Sequence, residues 1–122
     1  MSLRTIGVVL SSLIVFASGM WLTRSGKPYS GILVNVHKLI SLAGVVLLAL
    51  ATRQQTRGEN LGPAQAVPIV VTGLLLVANI VTGGLASIDR PMPQAIVVAH
   101  RVTPFLSLIA AAVTAYLLPY PR

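Results

Sequence analysis

Four apolar runs, each long enough to cross a lipid core, set the limits on what this chain can fold into. They cover about 6–22, 30–51, 67–88 and 94–118, with short polar links between them. At 1.5 Å per helical residue, about 20 residues span a hydrocarbon core of roughly 30 Å. Lipid offers backbone N–H and C=O groups no partner, so a spanning segment must satisfy them itself as a helix, or in a closed barrel. Runs of this length without alternating polarity do not read as barrel strands. The expected fold is therefore all-α: an integral membrane four-helix bundle, one transmembrane domain over residues 1–122, with both termini on one side. A composition of 55% hydrophobic and 9% charged residues agrees with that class and not with an ordinary soluble domain.

The links carry turn chemistry. Thr23-Arg24-Ser25-Gly26-Lys27-Pro28 follows the first run, and Asp89-Arg90-Pro91-Met92-Pro93 precedes the fourth. The longest polar stretch, Thr52 to Pro68, is read as a loop, with Pro63 and Pro68 leading into the first turn of the third helix. Arg4 ahead of an apolar run, with small residues at Ala17 to Gly19, resembles a secretory leader. The first run also completes an internal repeat, so it is read as a retained helix, with Trp21 at its far interface.

That repeat appears when the chain is shifted by 63 residues. His37 falls on His100, Lys38 on Arg101, Lys27-Pro28 on Arg90-Pro91, Val34 on Val97, Leu22 on Leu85 and Ile6 on Ile69. A cation and Pro, followed nine residues later by His and a cation, thus occurs twice. Repeat 1 covers about 6–51 and repeat 2 about 69–114, each a helix pair. Tandem repeats with an even number of spans are parallel, related by an axis along the membrane normal. Both histidines then lie at one depth, roughly 12 Å below the same surface by helical rise.

The sequence contains two histidines in all, and each sits within an apolar run. An ionisable residue in a span marks a functional site by default, since lipid penalises unsatisfied polar groups. Two imidazoles at equal depth on parallel helices suit the two axial positions of a planar iron macrocycle, which predicts one haem b per chain held by His37 and His100 between the second and fourth helices. Small or backbone-exposing residues could accept a porphyrin edge. Ser41 and Pro104 lie one turn past the histidines, Gly44 and Ser107 two turns past, and the third helix offers Gly83-Gly84. Helical side chains lean toward the N-terminus, so Lys38 and Arg101 would reach the Lys27 and Arg90 surface. There they would meet haem propionates or lipid phosphates. Asn35 and Asn79 are read as interhelical hydrogen-bonders.

Other chemistry is excluded or unsupported. With no cysteine there can be no disulfide, thiolate metal site or covalent c-type haem attachment. The net charge of +7 comes from cations scattered over loops and helix ends, which is no nucleic-acid footprint. Glu59 and Asp89 fall in loops on opposite faces, so no acid–base pair is available and no independent enzymatic activity is expected. Two further readings fit the same histidines: a structural or anchoring subunit of a membrane complex, and a pigment-binding subunit of a photosynthetic assembly.

Four spans carrying the His37/His100 pair resemble the b-type membrane cytochromes, with cytochrome b561-like proteins nearest in size. The resemblance implies electron transfer, with membrane lipid, a quinone or another redox protein as partners, alone or within a larger complex. Those families usually carry four histidines and two haems; two histidines here allow one haem and a one-sided relay. The terminal face holds Arg4, Arg53, Arg57 and Arg122, and the other Arg24, Lys27 and Arg90. By the positive-inside rule the termini fall on the cytoplasmic side if Lys38 and Arg101 serve a cofactor, and on the opposite side if they count as loop charges; a bacterial inner membrane with the termini inside is the expected setting.

Overall fold

The computed structural model describes residues 3–118, the side chains of Arg4 and Thr5 excepted. Tyr120 and Arg122, and the side chain of Arg4, lie outside the described residues. Four helices follow in order: α1 (Leu3–Ser25), α2 (Gly31–Gln55), α3 (Pro63–Ala86) and α4 (Gln94–Leu117). Each is long and apolar enough to cross a membrane, and among the described residues there is no strand. The chain divides into two compact units. One runs to Gln54 and holds α1 and α2; the other starts at Gln55 and holds α3 and α4. The division falls at the end of α2, between the two helix pairs.

Burial is inverted relative to a water-soluble fold. Among the described residues Thr72, Ser107 and Thr114 are buried, along with Leu118, while Ile32 is 79% and Leu74 66% exposed. Apolar side chains turned outward gain nothing in water. In lipid they cost nothing, and close packing with interhelical hydrogen bonds holds the helices together instead.

The helices outrun the apolar stretches at several ends. In α1, Thr23 Oγ1 donates to the Gly19 carbonyl at 3.0 Å and Ser25 Oγ to the Leu22 carbonyl at 2.9 Å. In α2, the Thr52-Arg53-Gln54-Gln55 segment stays helical. The third helix begins at Pro63 rather than near Val67. Proline at the first helical position loses no bond, and the Gly62 N–H donates to Gln65 Oε1 at 2.9 Å. Pro68 therefore lies inside α3, not in the loop before it. At the other end, the Ser87 N–H closes α3 on the Gly83 carbonyl at 3.1 Å.

Within the second unit a polar seam joins α3 to α4. Thr72 Oγ1 and Thr114 Oγ1 are 3.1 Å apart, and Asn79 Nδ2 donates to Ser107 Oγ at 2.7 Å. Thr103 Oγ1 also donates to Asn79 Oδ1. The seven-residue steps from 72 to 79 and from 107 to 114 put these groups on one stripe of each helix. In the first unit Gly44 of α2 faces Ser11 of α1, where an added Cβ would sit 3.5 Å from Ser11 Oγ.

Candidate functional site

Helix starts fix the depth of both histidines. His37 is the seventh residue of α2 and His100 the seventh of α4, about 9 Å along each axis from its first residue. Both rings are half-buried, and each rests on the preceding helix of its own unit. His37 Nδ1 lies 2.7 Å from Ser18 Oγ of α1, and His100 Nδ1 lies 3.1 Å from Thr82 Oγ1 of α3. Each hydroxyl also donates within its helix: Ser18 to the Val15 carbonyl at 3.0 Å, and Thr82 to the Ala78 carbonyl at 2.7 Å.

A glycine follows each hydroxyl, and the imidazole edge lies against its backbone. A Cβ on Gly19 would come within 3.2 Å of His37 Cε1, and one on Gly83 within 2.7 Å of His100 Cε1. At Gly83 that distance excludes any side chain unless the ring moves. So the flat ring lying on Gly83 is the imidazole of His100. Gly84 meets nothing within 4 Å and is exposed.

The two supports match at an offset one residue greater than the histidines do. Ser18-Gly19 corresponds to Thr82-Gly83 at 64 residues, whereas His37 and His100, and Pro28 and Pro91, are 63 apart. The difference lies between the glycine and the proline of each unit: α1 continues past Gly19 to Ser25, whereas α3 ends at Ala86, soon after Gly83. Gly26, which follows α1, has φ of +71°, a left-handed conformation that glycine adopts without steric cost. A single offset of 63 pairs Ser18 with Val81, and so hides the repeated hydroxyl-Gly dipeptide. Ser18, Gly19 and Thr82 are the site residues that sequence reasoning missed, and the dipeptide was the available signal.

The other expected site residues divide by location. Ser41 Oγ donates to the His37 carbonyl at 2.7 Å. Pro104 stands at the corresponding place after His100, where its missing N–H deprives the His100 carbonyl of its helical donor. Gly44 packs on Ser11; Ser107, buried, accepts from Asn79 and donates to the Thr103 carbonyl at 2.8 Å. These two therefore face the neighbouring helix of their own unit. Lys38 and Arg101 are exposed on α2 and α4, as is Asn35, and Lys27 and Arg90 are exposed in the links. The Lys27 ammonium stands 5.8 Å above the Tyr29 ring, within cation–π range.

Among the described residues no three His, Asp or Glu side chains gather. The ligating groups on offer are two imidazoles, one per unit, each supported alike. No family model, curated protein or solved structure matches the chain.

Proposed function

We propose that this chain is a membrane electron-transfer protein that binds one b-type haem, with His37 and His100 as its axial ligands. One observation carries the reading: each helix pair presents one imidazole at the same helical position, with Nδ1 on a hydroxyl and the ring edge on a glycine. A metal-ligating histidine characteristically uses its second ring nitrogen in just such a bond, which orients the ring. Two neutral imidazoles are also a donor set that haem iron takes, so the residues present fit the group. Haem would supply a one-electron couple. The chain's own part is to hold the ligands, exclude water with its apolar helices and, through Lys38, Arg101, Lys27 and Arg90, offer cations to propionate carboxylates or lipid phosphates.

With one haem, the proposed role is a relay near one membrane face, exchanging electrons with a quinone or a redox protein, similar to b-type membrane cytochromes. A bacterial inner membrane, with the termini inside, is the proposed setting. The second reading, helix packing alone, is favoured by the fact that each imidazole already bridges two helices.

Expression with ample haem, followed by a reduced-minus-oxidised spectrum, tests the choice. The proposal expects a low-spin b-type signal at one haem per chain, lost in both His37→Ala and His100→Ala. A folded, colourless protein overturns it in favour of packing. A magnesium-macrocycle spectrum would move the assignment to a pigment-binding role.

A further inference from the structure

Each supporting hydroxyl has one proton, with helix carbonyl oxygen and an imidazole nitrogen both in reach. For Ser18 these are the Val15 carbonyl at 3.0 Å and His37 Nδ1 at 2.7 Å. For Thr82 they are the Ala78 carbonyl at 2.7 Å, with the Asn79 carbonyl farther off at 3.4 Å, and His100 Nδ1 at 3.1 Å. A carbonyl oxygen can only accept. Were the hydroxyl proton aimed at Nδ1, two oxygen lone pairs would face each other at hydrogen-bond distance. If the hydroxyl donates to the carbonyl and Nδ1–H donates to the hydroxyl, both contacts are attractive. A neutral imidazole carrying its proton on Nδ1 has its lone pair on Nε2.

We infer that Ser18 and Thr82 are positioning residues that hold His37 and His100 in the Nδ1–H tautomer, so that each imidazole presents its Nε2 lone pair as a ligand. The ligand role rests on the haem reading; the tautomer does not. The helix itself provides the device. A serine or threonine in mid-helix sends its proton back to a carbonyl three or four residues earlier, which leaves the hydroxyl oxygen as an acceptor. The glycine after it lets the ring lie against the backbone, close enough for Nδ1 to reach that oxygen. A hydroxyl is a weaker acceptor than a carboxylate, so it fixes the tautomer without drawing the imidazole toward imidazolate. The same solution occurs in both units, although their links differ in length.

The test uses the full-length chain in lipid nanodiscs with ¹⁵N-labelled histidine, prepared before and after haem loading. Before loading, nitrogen chemical shifts should report a protonated Nδ1 and an unprotonated Nε2 on both rings. Ser18→Ala should move the proton toward Nε2 at His37 alone, while Ser18→Thr should retain the wild-type pattern; Thr82→Val should act at His100 alone and less strongly, because the Asn79 carbonyl is a second acceptor for that ring. After loading, Ser18→Ala and Thr82→Val should each weaken haem binding by about 10- to 100-fold, the usual effect of losing such a support. An Nε2–H tautomer in the wild-type chain, or tautomers indifferent to both substitutions, overturns the inference. Tautomers that respond as stated in a chain that takes up no haem support the hydroxyl assignment and overturn the haem reading instead. If Thr82→Val fails to fold, Ser18→Ala in the other unit still decides the matter.

Discussion

Gly83 and His100 approach so closely that a Cβ on the glycine would stand 2.7 Å from the imidazole Cε1, a separation real Cβ contacts essentially never show. The corresponding distance at Gly19 and His37 is 3.2 Å, which a shift of a few tenths of an ångström relieves. Gly83→Ala should therefore push the His100 ring off its hydroxyl and destabilise the chain by about 1–3 kcal/mol, the usual range for overpacking. Gly19→Ala should cost clearly less. Thermal unfolding in detergent, with haem retention read in parallel, ranks the two. Equal effects would mean that the rings do not lie on these glycines.

The Thr72–Thr114 bond is buried between α3 and α4, and its counterparts in the first unit, Val8 and Ala51, are apolar. A double-mutant cycle with Thr72→Val and Thr114→Val should give a coupling of about 0.6 kcal/mol and not above about 1.7, the range found for interhelical hydrogen bonds in membranes. Asn79→Leu should cost more than either single change, because Asn79 both donates to Ser107 and accepts from Thr103. Its loss leaves two hydroxyls short of a partner on the seam. Unfolding free energies in mixed micelles measure both.

Hydropathy and proline placement made the helices legible in the sequence. Lipid demands internally satisfied backbone, so a 20-residue apolar run has little choice of structure. The spacing from Pro28 and Pro91 likewise put His37 and His100 at one helical position, as the helix starts at Gly31 and Gln94 bear out. Ser18 and Thr82 were not legible by the same route. Ser18 stands nineteen residues before His37 and Thr82 eighteen before His100, and a single offset cannot follow two registers. Gly44 and Ser107 look like groove residues by spacing alone. Spacing says which side of a helix a residue shares with histidine, but not that the neighbouring helix of the same unit already occupies it.

Gly26 carries the only left-handed backbone in the α1–α2 link. An L side chain in that region costs about 1–2 kcal/mol, so Gly26→Ala should lower stability by roughly that amount. Gly26→Asn should lower it less, since asparagine tolerates the conformation. The histidine nitrogen shifts should stay unchanged in both variants, because no atom of the ring support moves. A shift at His37 would show that the link, and not the Ser18–Gly19 surface, sets the ring's position.

If both histidines ligate one iron, they are interchangeable in kind, and a thioether in place of either should act in one direction. Methionine opposite histidine raises the potential of a haem relative to two histidines. His100→Met should therefore keep a b-type absorbance and raise the midpoint potential, by a fraction of the roughly 0.8 V that axial ligation spans. His37→Met should do the same, because Ser18 and Thr82 support the two rings alike. Redox titration of the two variants in nanodiscs measures this directly. A rise in one variant with no change in the other would mean that a single histidine holds the iron. The symmetry of the two supports would then reflect helix packing in one unit and ligation in the other.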